Sequence, residues 1–283
     1  MKLVTVATHS ERFMPWLLES CKRFATPLTV LGWGETWQGF GHKLHLVLSF
    51  LQSLDTQEVV CFVDAYDVIL LRDLLECEQL FMQMHHVFGT ELWIGTHAYL
   101  TSKTVQWISQ AGIKYYFGHL RGHDINSGVY VGFAGSLTRL FADAGAHKDA
   151  DDQVLLSHQL QCVTAPKTFI DTSYLLAFNC VMTPWTDIAQ VPNLQVHNRE
   201  LFFFGIKPFF LHGPGSVNLS PLLLLLGYEV SISDQKHFRH LHGQFTWRRQ
   251  WTFFNRDFDN RSVQVIILLV IFLLFISTPS KRP

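Results

Sequence analysis

The stretch "VVCFVDAYDVILL", Val59 to Leu71, decides how this chain reads. Val59 to Val63 are all apolar, which describes a strand buried on both faces, as in a parallel sheet. The run then breaks on two carboxylates three positions apart, Asp64 and Asp67, before it resumes. An unpaired buried carboxylate is costly, and two neighbours repel. A hard divalent cation such as Mn²⁺ or Mg²⁺ relieves both costs and keeps coordination positions open for phosphate oxygens. Ligands of open α/β sheets bind beyond the carboxyl ends of the strands, and Asp64 stands at such an end. Taken alone, the residues equally allow Asp64 to close a turn and Asp67 to be solvated.

On either side of this stretch, strand and helix patterns alternate. "LVTVATH" reads as a strand, "ERFMPWLLESCKRF" as an amphipathic helix, and "PLTVLGW" as a second strand. "GHKLHLVLSFLQSL" places Leu44, Val47, Leu48 and Leu51 on one helical face. "DLLECEQLFMQM" is helical, and "ELWIGTH" strand-like. "INSGVYVGFAGSLTRLFADA" reads as loop, strand and short helix, with Gly128, Gly132 and Gly135 allowing close backbone approach. "DADDQVLLSHQLQ" opens a helix on carboxylates suited to the helix dipole. "KPFFLHGPG" is a strand ending in a glycine-proline turn, and "PLLLLLGYEV" reads as a wholly buried segment. The alternation predicts an α/β sheet with right-handed crossovers, in one domain over residues 1–235.

Composition narrows the function classes. Of 283 residues, 48% are hydrophobic and 16% charged, which suits a large core and argues against disorder. A net charge of -1 offers no basic field for nucleic acid, so an anionic ligand needs a local site. None of the 5 cysteines forms a CxxC pair, against a zinc ribbon or thioredoxin-like site. Cys61, inside the strand, is a small buried hydrophobe.

Four motifs follow in order: "DAYDVI" from Asp64, "NSGVYVGFA" from Asn126, "DDQ" from Asp151 and "HGPG" from His212, with "GFGHK" ahead of them. From about Leu3 to Tyr228 the ordered set resembles the glycosyltransferase domain of the multifunctional procollagen lysyl hydroxylases. The resemblance implies a GT-A fold, a Rossmann-like nucleotide-binding half continuous with an acceptor-binding half. It also implies an enzyme that uses Mn²⁺ (or Mg²⁺) and a UDP-hexose, glucose or galactose, with a glycan or a hydroxylated protein as acceptor. Asp67 is then the first metal ligand, Asp64 serves the metal or the ribose hydroxyls, and His212 completes the metal site as a neutral imidazole. Gly213 and Gly215 let the backbone approach the diphosphate, Tyr66 stacks on the uracil, and Lys43 reaches an anion from a helix start. Asn126, Asp151 and Asp152 line the sugar pocket.

Two departures qualify the resemblance. Asn218 stands near the place of a family lysine that follows the His-Gly turn, and "GTHAYLTS" replaces an acidic residue and a Cys-Trp-Pro turn. A catalytically silent, membrane-anchored sugar-nucleotide-binding scaffold is therefore the second reading. A nucleotidyltransferase ranks third, because "THSERFMP" after the first strand has no glycine. At the other end, "SVQVIILLVIFLLFIST", residues 262–278, is uncharged and follows an aromatic and basic segment over 236–261. The reading is a single-pass C-terminal anchor, with an apolar length of about 16 residues against the roughly 20 of a typical span. The arginine excess before it places the catalytic side in the cytosol, whereas the resemblance implies the secretory lumen.

Overall fold

Strands in the first half alternate side chains between two covered faces, and this alternation builds the core. The computed structural model describes residues 1–99, 125–142, 151–162, 164–181, 188, 191, 193–215 and 217–241. Strand β1 (Lys2–Val6) pairs in parallel with β2 (Leu28–Leu31) and β3 (Val59–Val63). Leu3, Val59, Cys61 and Val63 pack on one face with Leu17 of α1 (Met14–Arg23) and Phe81 of α3 (Leu74–Phe88). Val4, Val6, Val60 and Phe62 pack on the other, against Leu44, Val47 and Leu51 of α2 (Phe40–Gln52). The helical face expected in "GHKLHLVLSFLQSL" is thus the core face, with Leu48 half-buried at its edge. Pro15 sits in the first turn of α1, where no helical N–H is lost.

The sheet is mixed rather than parallel throughout. Strand β6 (Ile125–Phe133) runs antiparallel to both β3 and β5 (Leu92–Tyr99). Asn126 and Ser127, expected in a loop, already lie in this strand, and α4 (Ala134–Ala142) follows it directly. Helix α5 (Asp152–Gln159) packs against β6 and α2. Strand β5 bulges between Ile94 and Thr96. Its first half pairs with β7 (Thr168–Asp171) and its second with β8 (Ala177–Val181). Strand β9 (Leu194–His197) and β10 (Glu200–Phe203) form a separate hairpin. Strand β11 (Phe210–His212) pairs in parallel with β8 and antiparallel with β4 (Val68–Leu70).

The strand order β2-β1-β3-β6-β5-β8-β11-β4 carries the main consequence of the fold. Only Asp64 to Asp67 separate β3 from β4, yet β4 lies at the far end of that order. A few residues span at most about 3.5 Å each, so the sheet has to curl until its far edge meets the end of β3. The bulge in β5 and its change of partner provide the bend. The turn is tied at both ends, Asp64 N–H to the Gly128 carbonyl (2.9 Å) and Gly213 N–H to the Asp67 carbonyl (2.8 Å).

The leucine run departs from its reading as a wholly buried segment. It forms α6 (Ser220–Leu225), in which Leu222 and Leu223 are buried while Leu224 and Leu225 are exposed. A helix under two turns long presents only one face to the core. A last helix, α7, covers 232–241 and is capped by Ser231, whose hydroxyl accepts from Asp234 N–H (3.0 Å). From it Phe238 packs on Phe13 and Trp16, with ring centroids 4.3 and 5.7 Å away. Among the described residues no helix is long and apolar enough to cross a membrane, and the expected anchor at 262–278 lies outside them. Phe238→Ala should lower the unfolding free energy by about 3–5 kcal/mol. Urea denaturation of the full chain measures it, and a loss below about 1 kcal/mol would show that α7 is only loosely attached.

Candidate active site

Where the sheet curls shut, Asp64, Asp67 and His212 converge, with donor atoms all within 4.8 Å of one another. Asp67 and His212 are buried and Asp64 is half-buried. Nε2 of His212 lies 3.4 Å from Asp67 Oδ1 and 4.0 Å from Asp64 Oδ2. Both Nε2 and Oδ1 are buried, and neither has a hydrogen-bond partner among the described residues. Such orphaned groups are rare in a folded protein.

The hydrogen-bond chain behind His212 explains the orphan. Asn179 is fully buried in β8, in register with His212 on β11. Its Nδ2 donates to the Thr96 carbonyl (3.0 Å), so its Oδ1 faces His212 Nδ1 at 2.8 Å. A carbonyl oxygen only accepts, so Nδ1 carries the ring proton. In the neutral ring Nε2 then holds a lone pair aimed at two carboxylates. A metal-ligating histidine has this arrangement, its second nitrogen fixed by an outer partner.

Space is reserved at the same point. A Cβ on Gly128 would stand 2.2 Å from His212 Cε1 and 2.9 Å from Asp64 Oδ2, so only glycine lets these two side chains meet. Hard ions bind oxygen donors at about 2.0–2.6 Å, which puts opposed ligands roughly 4–5 Å apart. The three donors fit a divalent ion of that kind, mixed oxygen and nitrogen, such as Mn²⁺. The two carboxyls respond in opposite directions. Burial drives Asp64 above its usual range, and Asp67 and Asp152 reinforce the rise against Lys43. Burial pushes Asp67 upward too, but His212 when its ring is protonated, Arg12 and Lys43 outweigh it and hold that carboxyl below its usual range.

Lys43 links this cluster to the next. From α2 its buried Nζ donates to Asp64 Oδ1 and to Asp152 Oδ2, both at 2.6 Å. The anions it reaches are therefore carboxylates of the protein. Burial opposes its charge, but Asp152 and Asp64 more than compensate, and its ammonium is held well above the ordinary lysine range. Asp151 is the N-cap of α5, accepting from Gln153 N–H (3.0 Å) and Val154 N–H (3.3 Å), while Asp152 turns inward. Asn126 Oδ1 accepts from Gly128 N–H (2.9 Å), and its Nδ2 lies 3.0 Å from His97 Nε2. Tyr66 is half-buried, its hydroxyl donating to the His9 carbonyl (3.1 Å). The Gly213 N–H is taken by Asp67, and a Cβ there would press on Leu219 at 2.8 Å. Gly215 has a left-handed φ of 71°. Asn218 accepts from Ser220 N–H (3.1 Å) and so shapes the start of α6.

The structure thus brings together Lys43, Asp64, Asp67, Asp152 and His212 of the residues singled out in the sequence. Sequence reasoning missed Asn179, whose one signal was a polar residue inside the apolar strand "LLAFNCV".

A family model described as the PLOD GT domain matches residues 1–160, more than half of the chain. The chain belongs to the PLOD GT-domain family. His212 lies beyond the matched range, so it enters the site on geometry. A Caenorhabditis elegans multifunctional procollagen lysine hydroxylase and glycosyltransferase is 24% identical over 236 residues, 75% of this chain and 30% of that protein. The mouse procollagen-lysine,2-oxoglutarate 5-dioxygenase 2 is 25% identical over 251 residues, 80% of this chain and 30% of its own length. The chain therefore spans under a third of these relatives. Among solved structures, the galactosyltransferase LgtC in complex with donor and acceptor sugar analogues is similar with a TM-score of 0.44 and 15% identity, over 88% of this chain and 99% of that one. A glycosyltransferase involved in glycosylating the major capsid protein of PBCV-1 gives 0.43 and 9%, over 84% and 100%. Likenesses this loose do not align sites.

Asn179→Leu should weaken Mn²⁺ binding by about tenfold or more, whereas Asn179→Asp, which keeps an acceptor at Nδ1, should retain it more nearly. Titration calorimetry on the full chain checks this. Equal affinity in the wild type and the leucine variant would remove Asn179 from the metal account.

Proposed function

We propose that this member of the PLOD GT family is a metal-dependent glycosyltransferase that moves a hexose from a UDP-sugar to a hydroxyl acceptor. One observation carries the reading: two buried, unbonded acceptors, Asp67 Oδ1 and His212 Nε2, face each other beside Asp64. Two acceptors cannot satisfy one another, and a divalent ion satisfies both. Asp64, Asp67 and His212 would hold it. Bound there, the ion would neutralise diphosphate charge and stabilise the leaving group.

The rest of the site follows from the chain's own residues. Lys43 bridges Asp64 and Asp152 and sets the nucleotide and sugar ends of the site at a fixed spacing. Asp152 would accept from donor-sugar hydroxyls while Asp151 holds the helix start rigid. Asn126, its carbonyl spent on Gly128, orders the strand below the sugar. Tyr66 offers a ring face for the uracil. In the transfer the bond from the anomeric carbon to the phosphate oxygen breaks with its electron pair on UDP. The acceptor oxygen bonds that carbon, and its proton passes to the departing UDP or to water. Glucose or galactose as the sugar, and a glycan or hydroxylated protein as the acceptor, complete the proposal. The relatives' names, which speak of procollagen lysine and of a glycosyltransferase, support a hydroxylated protein acceptor and name no sugar. Membrane attachment through 262–278 is a separate proposal carried by its uncharged sequence.

Screening UDP-hexoses with the full chain and Mn²⁺ should show metal-dependent release of UDP from UDP-glucose or UDP-galactose. Asp152→Asn should lower turnover by far more than it weakens UDP binding. Binding without turnover across the screen would instead place the protein among silent sugar-nucleotide scaffolds.

A further inference from the structure

The loop "THSERFMP", Thr8 to Pro15, supplies none of the proposed metal or sugar ligands, yet it is fastened to the Asp64–Asp67 turn. Thr8 N–H donates to the Tyr66 hydroxyl (3.3 Å), which itself donates to the His9 carbonyl (3.1 Å). Phe13 N–H donates to the Tyr66 carbonyl (3.2 Å). Between these ties stands Arg12, in a left-handed conformation with φ 50°, unfavourable for any residue with a Cβ. Its side chain is 21% exposed, and Nη2 lies 4.0 Å from Asp67 Oδ2, beyond hydrogen-bond reach. That nitrogen is buried and has no hydrogen-bond partner among the described residues.

Charge balance indicates what it waits for. Lys43 is already engaged by Asp64 and Asp152. With a divalent ion on Asp64 and Asp67, the two carboxylate charges are neutralised and the Arg12 guanidinium is left without a counter-charge. A half-buried cation with one buried, unbonded nitrogen favours an anion beside it. We propose that Arg12 is the diphosphate-binding cation of this site, its planar fork taking phosphate oxygens once the metal occupies Asp67. The inference rests on the sugar-nucleotide reading given above and goes beyond it by naming the residue that recognises the diphosphate.

The test is calorimetric, on the full chain. Mn²⁺ alone is titrated first, then UDP and uridine at saturating Mn²⁺, for the wild type, Arg12→Gln, Arg12→Asn and Arg12→Lys. Asparagine tolerates a left-handed backbone and so keeps the test available if the glutamine variant folds poorly. Losing a charge-assisted contact predicts a fall in UDP affinity of about tenfold to a hundredfold for both neutral variants. Arg12→Lys should recover part of that loss, while Mn²⁺ and uridine affinities stay at the wild-type level. Unchanged UDP affinity overturns the proposal. So does a parallel fall in Mn²⁺ affinity, which would make Arg12 a support for Asp67 only. A wild type that binds neither UDP nor uridine would instead overturn the sugar-nucleotide reading, and this proposal with it.

Discussion

The turn from Asp64 to Asp67 has to connect the middle of a sheet to its far edge, and the rest of the molecule is built around that constraint. The carbonyl of Gly128 receives its first residue, and the N–H of Gly213 receives its last. Those two anchors belong to β6 and to the end of β11, strands that are not neighbours in the sheet. Closing the sheet there brings His212, some 150 residues later in sequence, onto the two carboxylates. The metal-like cluster is therefore a product of topology as much as of motif.

Burial at that point explains why the site is so heavily cross-linked. Asp67 and His212 are withdrawn from water and Asp64 half so, and each needs a compensating partner. Lys43 serves Asp64, Asn179 serves the far side of His212, and Arg12 stands near Asp67. What stays unsatisfied is the shared space between Asp67 Oδ1 and His212 Nε2. Gly128 stands beside it, where any Cβ would collide with His212 and Asp64.

Much of this arrangement was legible in the sequence, and the rest was hidden for physical reasons. Two carboxylates ending an apolar strand, and a histidine before a glycine turn, carry their chemistry openly. The destination of "VIL" does not show, because its residues continue the same apolar run as β3 and no local signal tells a neighbour from a distant edge. "PLLLLLGYEV" misled because composition alone cannot say which leucines of a short helix face outward. Asn179 has no motif around it, and its role exists only through its register with His212. Arg12 looks like an ordinary loop arginine until the loop is seen tied to Tyr66.

The central claim is that the gap between Asp67 and His212 is a cation site that serves a nucleotide diphosphate. Crystals of the full chain grown with Mn²⁺ and UDP, measured near the manganese absorption edge, test it most directly. The account predicts an anomalous peak bonded to Asp67, His212 Nε2 and Asp64, with diphosphate oxygens completing its coordination. UDP bound with no peak there, or with His212 Nε2 hydrogen-bonded within the protein, would contradict it.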